Sequence, residues 1–212
     1  SSRQSGVTID PKIEEILKLC TFATFSTPHL REVMGKNILN KSYVVPNALD
    51  RKMFKEQRLI GIQNKVVWRG GVTHERDITE FRDPITTCLR KTDWWLECMG
   101  MNPTCITDYV NAMYTPYMDK AQYFNYLSKI NGKISIVPLS HRPEEIDFNK
   151  SKSNIAWIES TYAGLAVLAP DWPEWRRPGI VNYTDKEDFR QKLTSMMKGE
   201  YNLESLRQAS WK

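Results

Sequence analysis

The 212-residue sequence lacks the features that mark membrane, secreted and zinc-stabilised proteins. No apolar run approaches the roughly 20 residues that cross a bilayer, and the first six residues (SSRQSG) lack the apolar core of a signal peptide. The four cysteines and three histidines are scattered, without a CxxC pair or a zinc-ligand spacing. We therefore expect a cytoplasmic protein without a disulfide framework or transmembrane segment. Because the sequence lacks an initiator methionine, we also expect it to be a piece of a longer polypeptide.

A strong charge of either sign is also missing. The sequence has 30 Lys and Arg residues against 25 Asp and Glu residues, which leaves a net charge of +5. This small excess suits an anionic small ligand, a weak contact with a polyanion, or no charged partner at all. No basic stripe alternates with aromatic residues, so we expect no nucleic-acid partner. The sequence contains no HExxH motif and no Ser-His-Asp order, but its 41% hydrophobic content is sufficient for a core.

Short apolar segments alternate with helical patterns along the chain. Strands are predicted at 21–25, 42–45, 65–68, 94–99, 133–139, 165–169 and 179–183. Helices are predicted at 11–19, 28–34, 75–90 with a bend at Pro84, 106–114, 119–130, 154–163 and 186–197, and the charged segment 48–58 is predicted as a linker. Because most of the strands are almost continuously apolar, we expect an α/β fold, with a parallel sheet covered by helices on both faces.

The loop 69–74 (RGGVTH) follows a predicted strand, where ligands of parallel sheets collect. Gly70 and Gly71 let the backbone approach a ligand and expose its N–H groups. The loop matches neither GxGxxG nor the lysine-bearing P-loop, and a double glycine before a helix is also typical of a tight turn. His74 suits either a general base or a hydrogen-bonding residue. Both interpretations of this loop remain open.

A second polar loop, 147–153 (DFNKSKS), leads into the predicted helix 154–163. A helix start attracts phosphate through its N–H groups and its positive dipole end, and here Lys152 adds a cation and Ser153 a hydroxyl. Glu159 lies six or seven residues further along the helix, about 10 Å away at 1.5 Å per residue, which suits the reach from a diphosphate to a ribose. The alternative is a well-capped helix with solvated charges.

Four segments, in this order, resemble the second half of a GT-B glycosyltransferase of the group-1, family-4-like kind. They are 23–30 (ATFSTPHL), 43–50 (YVVPNALD), 67–77 (VWRGGVTHERD), and 148–169 with its FN, KS and IE pairs. The resemblance implies a Rossmann-like, donor-binding C-terminal domain at residues 51–212. Residues 1–50 would be the last elements of the acceptor (N-terminal) domain and the start of the linker. The rest of that acceptor domain is expected elsewhere on the same polypeptide.

The resemblance also implies an activity and a set of site residues. It implies transfer of a sugar from a nucleoside diphosphate-sugar to an acceptor hydroxyl, without a metal and without a cofactor beyond the donor. The predicted catalytic residues are Arg69 and Lys152, which would stabilise the departing diphosphate. The predicted donor-binding residues are Gly70, Gly71, His74, Asn149, Ser153 and Glu159.

The sequence departs from the family pattern at two positions. Ser151 stands where many relatives carry the first glutamate of a pair, and Ala156 stands where a basic residue is frequent. Because of both departures, the choice between a retaining and an inverting reaction stays open. The base, the sugar and the acceptor (a glycan, a lipid or a protein) also stay open. The alternative function is a non-catalytic Rossmann-like binding or assembly module.

Overall fold

The computed structural model describes residues 10–34, 36–50, 52, 54 and 58–212. Part of the predicted linker, at 51, 53 and 55–57, lies outside the described residues, as do residues 1–9. The chain forms two compact units. The first comprises the residues through Ala48 together with His141–Ile155, and the second comprises Leu49–Ser140 and Ala156–Lys212. A segment from the middle of the chain therefore belongs to the first unit.

The strands are β1 (Ala23–Phe25), β2 (Ser42–Val44), β3 (Lys65–Gly70), β4 (Trp95–Gly100), β5 (Ala112–Pro116), β6 (Ile134–Ile136), β7 (Ala166–Pro170) and β8 (Ile180–Tyr183). The α-helices are α1 (Pro11–Leu19), α2 (Pro28–Met34), α3 (Glu75–Glu80), α4 (Arg82–Leu89), α5 (Thr104–Thr107), α6 (Lys120–Leu127), α7 (Ile146–Ser151), α8 (Ile155–Tyr162), α9 (Lys186–Met197) and α10 (Leu203–Trp211).

Side-chain caps determine where several helices begin. Asp10, Asp119 and Asp185 each accept a hydrogen bond from a backbone N–H in the first turn of α1, α6 and α9. Thr27 does the same for α2, where its hydroxyl lies 3.0 Å from the Leu30 nitrogen. Each of these contacts satisfies an N–H group that has no partner within its helix. The predicted helices at 11–19, 28–34 and 186–197 are confirmed.

The second unit contains a six-stranded parallel sheet in the order β5-β4-β3-β6-β7-β8. When β3 is counted as the first strand, the order is 3-2-1-4-5-6, which is the arrangement of Rossmann folds. Val66 and Trp68 on β3 belong to one hydrophobic core cluster, and Val67 between them belongs to another. Because neighbouring side chains of a strand point to opposite faces, both faces of the sheet are buried. The predicted α/β class is confirmed.

The helix predicted at 106–114 is wrong. The chain forms the short helix α5 and then β5, the edge strand of the sheet. Met113 and Tyr114 on β5 are exposed, so this strand does not show the continuous apolar pattern of the central strands. Its β structure comes from pairing with β4 along its whole length, which is a tertiary contact that local periodicity does not show.

Two other helices differ from the sequence prediction. The predicted helix 75–90 is divided into α3 and α4 at Phe81, whereas Pro84 lies inside the first turn of α4. Proline fits there because the first-turn N–H groups have no partner within the helix. The sequence prediction did not include α10, which begins after the N-cap residue Asn202. Within the described residues, no helix combines the length and the apolar character needed to span a membrane.

Candidate functional site

A cleft of about 260 Å³ lies at the carboxyl ends of three neighbouring strands of the second unit. It is lined by Arg69–Gly71 after β3, by Met99–Gly100 at the end of β4, and by 116–118 at the end of β5. His74, together with Lys120 and Tyr123 of α6, completes the lining. In Rossmann folds, ligands bind at the carboxyl ends of the strands next to the point where the strand order reverses. Here that point lies between β3 and β6.

Three glycines in this cleft have different physical roles. A Cβ atom on Gly70 would lie 2.4 Å from Cζ2 of Trp68, so the packing of β3 excludes a side chain there. Gly100 has a φ of +95°, and a Cβ atom on it would lie 2.9 Å from the carbonyl oxygen of Gly70. Gly71 is different, because a Cβ atom on it would meet nothing within 4 Å. Its φ of −86° and ψ of −175° are available to any residue. Packing therefore does not explain the glycine at position 71.

Arg69, Glu159 and Tyr123 form a polar cluster beside this cleft. Nε of Arg69 lies 2.7 Å from Oε2 of Glu159. The Tyr123 hydroxyl donates a hydrogen bond of 2.8 Å to the same oxygen. Glu159 is only 8% exposed, and a buried carboxylate needs such partners to remain in the core. Both contacts use Oε2, and Oε1 of Glu159 takes no hydrogen bond from the described residues.

The hydroxyl of Tyr123 keeps its proton at neutral pH. Burial raises the pKa of Tyr123; the positive charge of Arg69 opposes this increase and the negative charge of Glu159 adds to it. A protonated phenol donates its single hydrogen, and Glu159 is the acceptor here. Tyr123 therefore acts as a fixed donor that orients the carboxylate.

His74 is held by a buried aspartate. Its Nδ1 lies 3.1 Å from Oδ2 of Asp77, which is 4% exposed. Oδ1 of Asp77 accepts a hydrogen bond of 2.9 Å from the Ser140 backbone nitrogen, in the loop that follows β6. Asp77 therefore links the turn after β3 to the loop after β6, across the point where the strand order reverses. A carboxylate on one ring nitrogen fixes the orientation of the imidazole in the cleft wall.

Asn149, Lys152 and Ser153 lie in the first unit. The predicted polar loop at 147–153 is wrong for most of its length, because residues up to Ser151 form α7. The segment shows no apolar stripe, but two of its polar residues, Asn149 and Ser151, are buried. Asn149 is 1% exposed, and the buried Thr27 hydroxyl donates to the Ser151 carbonyl at 3.1 Å. Of the predicted loop, only Lys152 and Ser153 remain non-helical; together with Asn154 they connect α7 to α8, which begins one residue after the predicted position.

The contacts of this connection join three of the four segments that resemble glycosyltransferases. Nδ2 of Asn47 donates a hydrogen bond of 2.6 Å to the Ser153 hydroxyl, and Thr27 contacts the Ser151 carbonyl. The Lys152 ammonium lies 5.2 Å from the centre of the Phe148 ring, within the range of a cation–π contact. Residues 23–30, 43–48 and 148–153 therefore lie together in the first unit.

This chain is similar in fold to solved structures of other proteins. It superposes on the apo form of the lipopolysaccharide outer core galactosyltransferase WaaB with a TM-score of 0.58 and 12% sequence identity. The match covers 93% of this chain and 59% of that chain, so this chain spans little more than half of its structural neighbour. In all, 42 chains of solved structures match. No family model and no curated protein sequence matches.

The fold is shared with a glycosyltransferase. The α/β architecture expected of a Rossmann-like GT-B domain is therefore shown both by the sheet itself and by this neighbour. At 12% identity the likeness concerns the fold, and the ligand-binding roles of the individual residues stay predictions. In the part of the chain that the structure describes, no group of three or more His, Cys, Asp or Glu side chains is placed to hold a metal ion.

The structure brings five of the eight predicted site residues together in the second unit. Arg69, Gly70, Gly71 and His74 line the cleft, and Glu159 contacts Arg69. Asn149, Lys152 and Ser153 are gathered in the first unit.

Tyr123 and Asp77 were not predicted as site residues from the sequence. Tyr123 was instead predicted to belong to the apolar stripe of α6. Two tyrosines spaced three residues apart on that stripe, Tyr123 and Tyr126, were the available indication, because a buried tyrosine hydroxyl usually needs a polar partner. No pattern in the sequence distinguished Asp77 from a polar residue at a helix start.

Proposed function

We propose that this chain is the donor-binding half of a glycosyltransferase, which moves a sugar from a nucleoside diphosphate-sugar to an acceptor hydroxyl. The main supporting observation is the cleft at the carboxyl ends of β3–β5, where Arg69 and the open position at Gly71 lie beside a buried carboxylate, Glu159. A diphosphate needs a positively charged donor such as Arg69, and the hydroxyls of a ribose need an acceptor such as Glu159. The fold likeness to a galactosyltransferase supports the same class of reaction.

Arg69 is the proposed main partner of the diphosphate. It lies at the end of β3, next to two glycines that let a ligand approach the backbone. Charge-assisted hydrogen bonds to a phosphate each contribute about 1.5–3 kcal/mol. His74, oriented by Asp77, lines the same wall of the cleft. Lys152, which lies in the first unit, remains a separate prediction from the sequence.

Glu159 is the proposed partner of the ribose. Its Oε2 is occupied by Arg69 and Tyr123. The other oxygen, Oε1, has the acceptor capacity that the vicinal hydroxyls of a ribose require. Because the carboxylate is buried, a hydroxyl that donates to Oε1 forms a stronger hydrogen bond than it would in water.

In the proposed reaction, the bond between the anomeric carbon and the diphosphate oxygen breaks, and the acceptor oxygen bonds to that carbon. The sugar passes through an oxocarbenium-like transition state, as in glycoside cleavage. Negative charge develops on the departing diphosphate. Arg69 and the backbone N–H groups beside it would stabilise that charge with donors that are already in place. The base that would accept the acceptor proton is expected outside the second unit.

Calorimetric titration with UDP, GDP, ADP, pyrophosphate and phosphate tests this proposal. We expect one nucleoside diphosphate to bind at one site and to bind more tightly than pyrophosphate. Arg69→Gln should weaken it about tenfold to hundredfold. Arg90→Gln is the control, because Arg90 is an exposed arginine outside the cleft lining. Binding of no nucleotide, or equal binding by wild type and Arg69→Gln, would contradict the proposal.

A non-catalytic binding or assembly module is the second candidate. Exposed aromatic side chains on and next to the edge strand favour it: Trp95 is 47% exposed, Tyr114 46% and Tyr117 85%. Exposed aromatic residues are frequent in protein interfaces. The same titration separates the two candidates, because an assembly module would show no preference among nucleotides.

A further inference from the structure

The ion pair between Arg69 and Glu159 conflicts with the roles proposed for these residues. In the structure they bind each other at 2.7 Å, whereas in a donor complex Arg69 would bind the diphosphate and Glu159 the ribose. As Arg69 turns toward a diphosphate, Glu159 loses one of the two groups that hold Oε2. A buried carboxylate without a fixed partner would be displaced or would take up a proton. Another group must therefore hold Glu159 in the donor complex.

Tyr123 meets this requirement from a different element. Its hydroxyl contacts Oε2 of Glu159 at 2.8 Å from α6, so a movement of Arg69 does not break the contact. The ring is anchored against a core cluster that includes Leu127 and Ile130. Burial keeps the phenol protonated by raising its pKa, so its hydrogen stays available to the carboxylate.

The same helix makes a second contact of this kind, away from the cleft. Tyr126 lies three residues after Tyr123 on α6. Its hydroxyl donates a hydrogen bond of 2.5 Å to Oε1 of Glu97. Glu97 is fully buried on β4 and is paired with Lys65 on β3, at 2.9 Å. One face of the helix therefore presents two tyrosine hydroxyls to two buried carboxylates. Only the first of these carboxylates, Glu159, is bonded to a residue of the cleft.

We propose that Tyr123 is a positioning residue for ribose recognition. Its hydroxyl fixes Oε2 of Glu159 so that Oε1 accepts a hydrogen bond from a ribose hydroxyl. Since Glu159 meets a ribose only if the chain binds a nucleotide, this inference rests on the proposed function. It adds a specificity role for a residue that contacts the carboxylate and not the reacting atoms.

The test is the ratio of the dissociation constants of a nucleoside diphosphate and its 2′-deoxy form. UDP with dUDP, or GDP with dGDP, is used according to which base binds. In wild type we expect the deoxy form to bind about tenfold to hundredfold more weakly, because one hydrogen bond to a charged group is lost. In Tyr123→Phe, which keeps the ring, this ratio should fall to within about threefold. Both nucleotides report on the same folded molecules, so a loss of stability does not change the ratio.

Two further variants make the outcomes distinguishable. Glu159→Gln should also remove most of the discrimination, whereas Tyr126→Phe, the matched control on the same helix, should keep the wild-type ratio. If Glu159→Gln removes the discrimination and Tyr123→Phe keeps it, the positioning role of Tyr123 is wrong and the proposed function stands. Wild-type protein that binds no nucleotide, or that binds both forms equally, contradicts the ribose role of Glu159 and the inference with it.

Discussion

Gly71 provides a test in which nucleotide binding and folding stability should respond differently. A Cβ atom at this position meets nothing within 4 Å, and its backbone has a negative φ. Gly71→Ala should therefore leave the fold intact. It should raise the free energy of unfolding by about 0.4–1 kcal/mol, because alanine restricts the unfolded chain. If a diphosphate lies against this backbone, the same methyl group occupies space that the ligand needs.

The magnitude of the effect on binding follows from the cost of overpacking. Inserting a methyl group into occupied space costs about 1–3 kcal/mol, which corresponds to about fivefold to hundredfold in affinity. The matched variant is Gly70→Ala. Its Cβ atom would lie 2.4 Å from the ring of the buried Trp68, so this variant should lose about 1–3 kcal/mol of folding stability instead.

Thermal unfolding and calorimetric titration with the nucleoside diphosphate measure the two effects separately. We expect Gly71→Ala to keep or raise the midpoint of unfolding and to weaken nucleotide binding. Gly71→Val, whose branched side chain suits an extended backbone, should weaken binding further. If both Gly71 variants bind the nucleotide as wild type does, the ligand does not approach the backbone at Gly71, and the proposed placement of the diphosphate is refuted.

Two further predictions concern charged residues. Lys152→Ala should weaken nucleoside diphosphate binding about tenfold to hundredfold, with Lys150→Ala as the neighbouring control; equal titration curves for the two variants would refute the role of Lys152. Arg207, which is 1% exposed, pairs with Glu204 and lowers the pKa of that carboxyl from 4.5 to about 2. Because this pKa is lower in the folded chain than in the unfolded chain, the ionised carboxylate stabilises the fold above pH 4.5. This contribution to the free energy of unfolding, about 1–2 kcal/mol after solvent screening, is lost as the pH falls toward 2. Denaturant unfolding between pH 6 and 2.5 should show this loss in wild type and not in Glu204→Gln. Glu187→Gln removes a more exposed pair, with Arg190, and should behave like wild type. An equal acid loss in Glu204→Gln would show that the pair of Glu204 and Arg207 is not its source.

The sheet was predictable from the sequence because its central strands are buried on both faces. Val66, Val67 and Trp68 are apolar in succession, so periodicity and length were sufficient to identify β3. The edge strand β5 was missed because it is half exposed and depends on pairing with β4. The helix α7 was missed because its buried residues, Asn149 and Ser151, are polar and form no apolar stripe.

The site was predictable only where one element contains several of its residues. Arg69, Gly70, Gly71 and His74 follow one strand, so their positions in the chain place them at one end of the sheet. The partners of Glu159 were not predictable, because Arg69 and Tyr123 lie 90 and 36 residues away in sequence. Such contacts depend on how the helices pack on the sheet, and a single sequence does not encode them in a local pattern.

A crystal structure of the chain with its preferred nucleoside diphosphate tests the central claim most directly. We predict that the diphosphate lies in the cleft after β3, within hydrogen-bond distance of Arg69, and that a ribose hydroxyl donates to Oε1 of Glu159. A nucleotide bound elsewhere, with the ion pair between Arg69 and Glu159 intact and the cleft empty, would contradict the account.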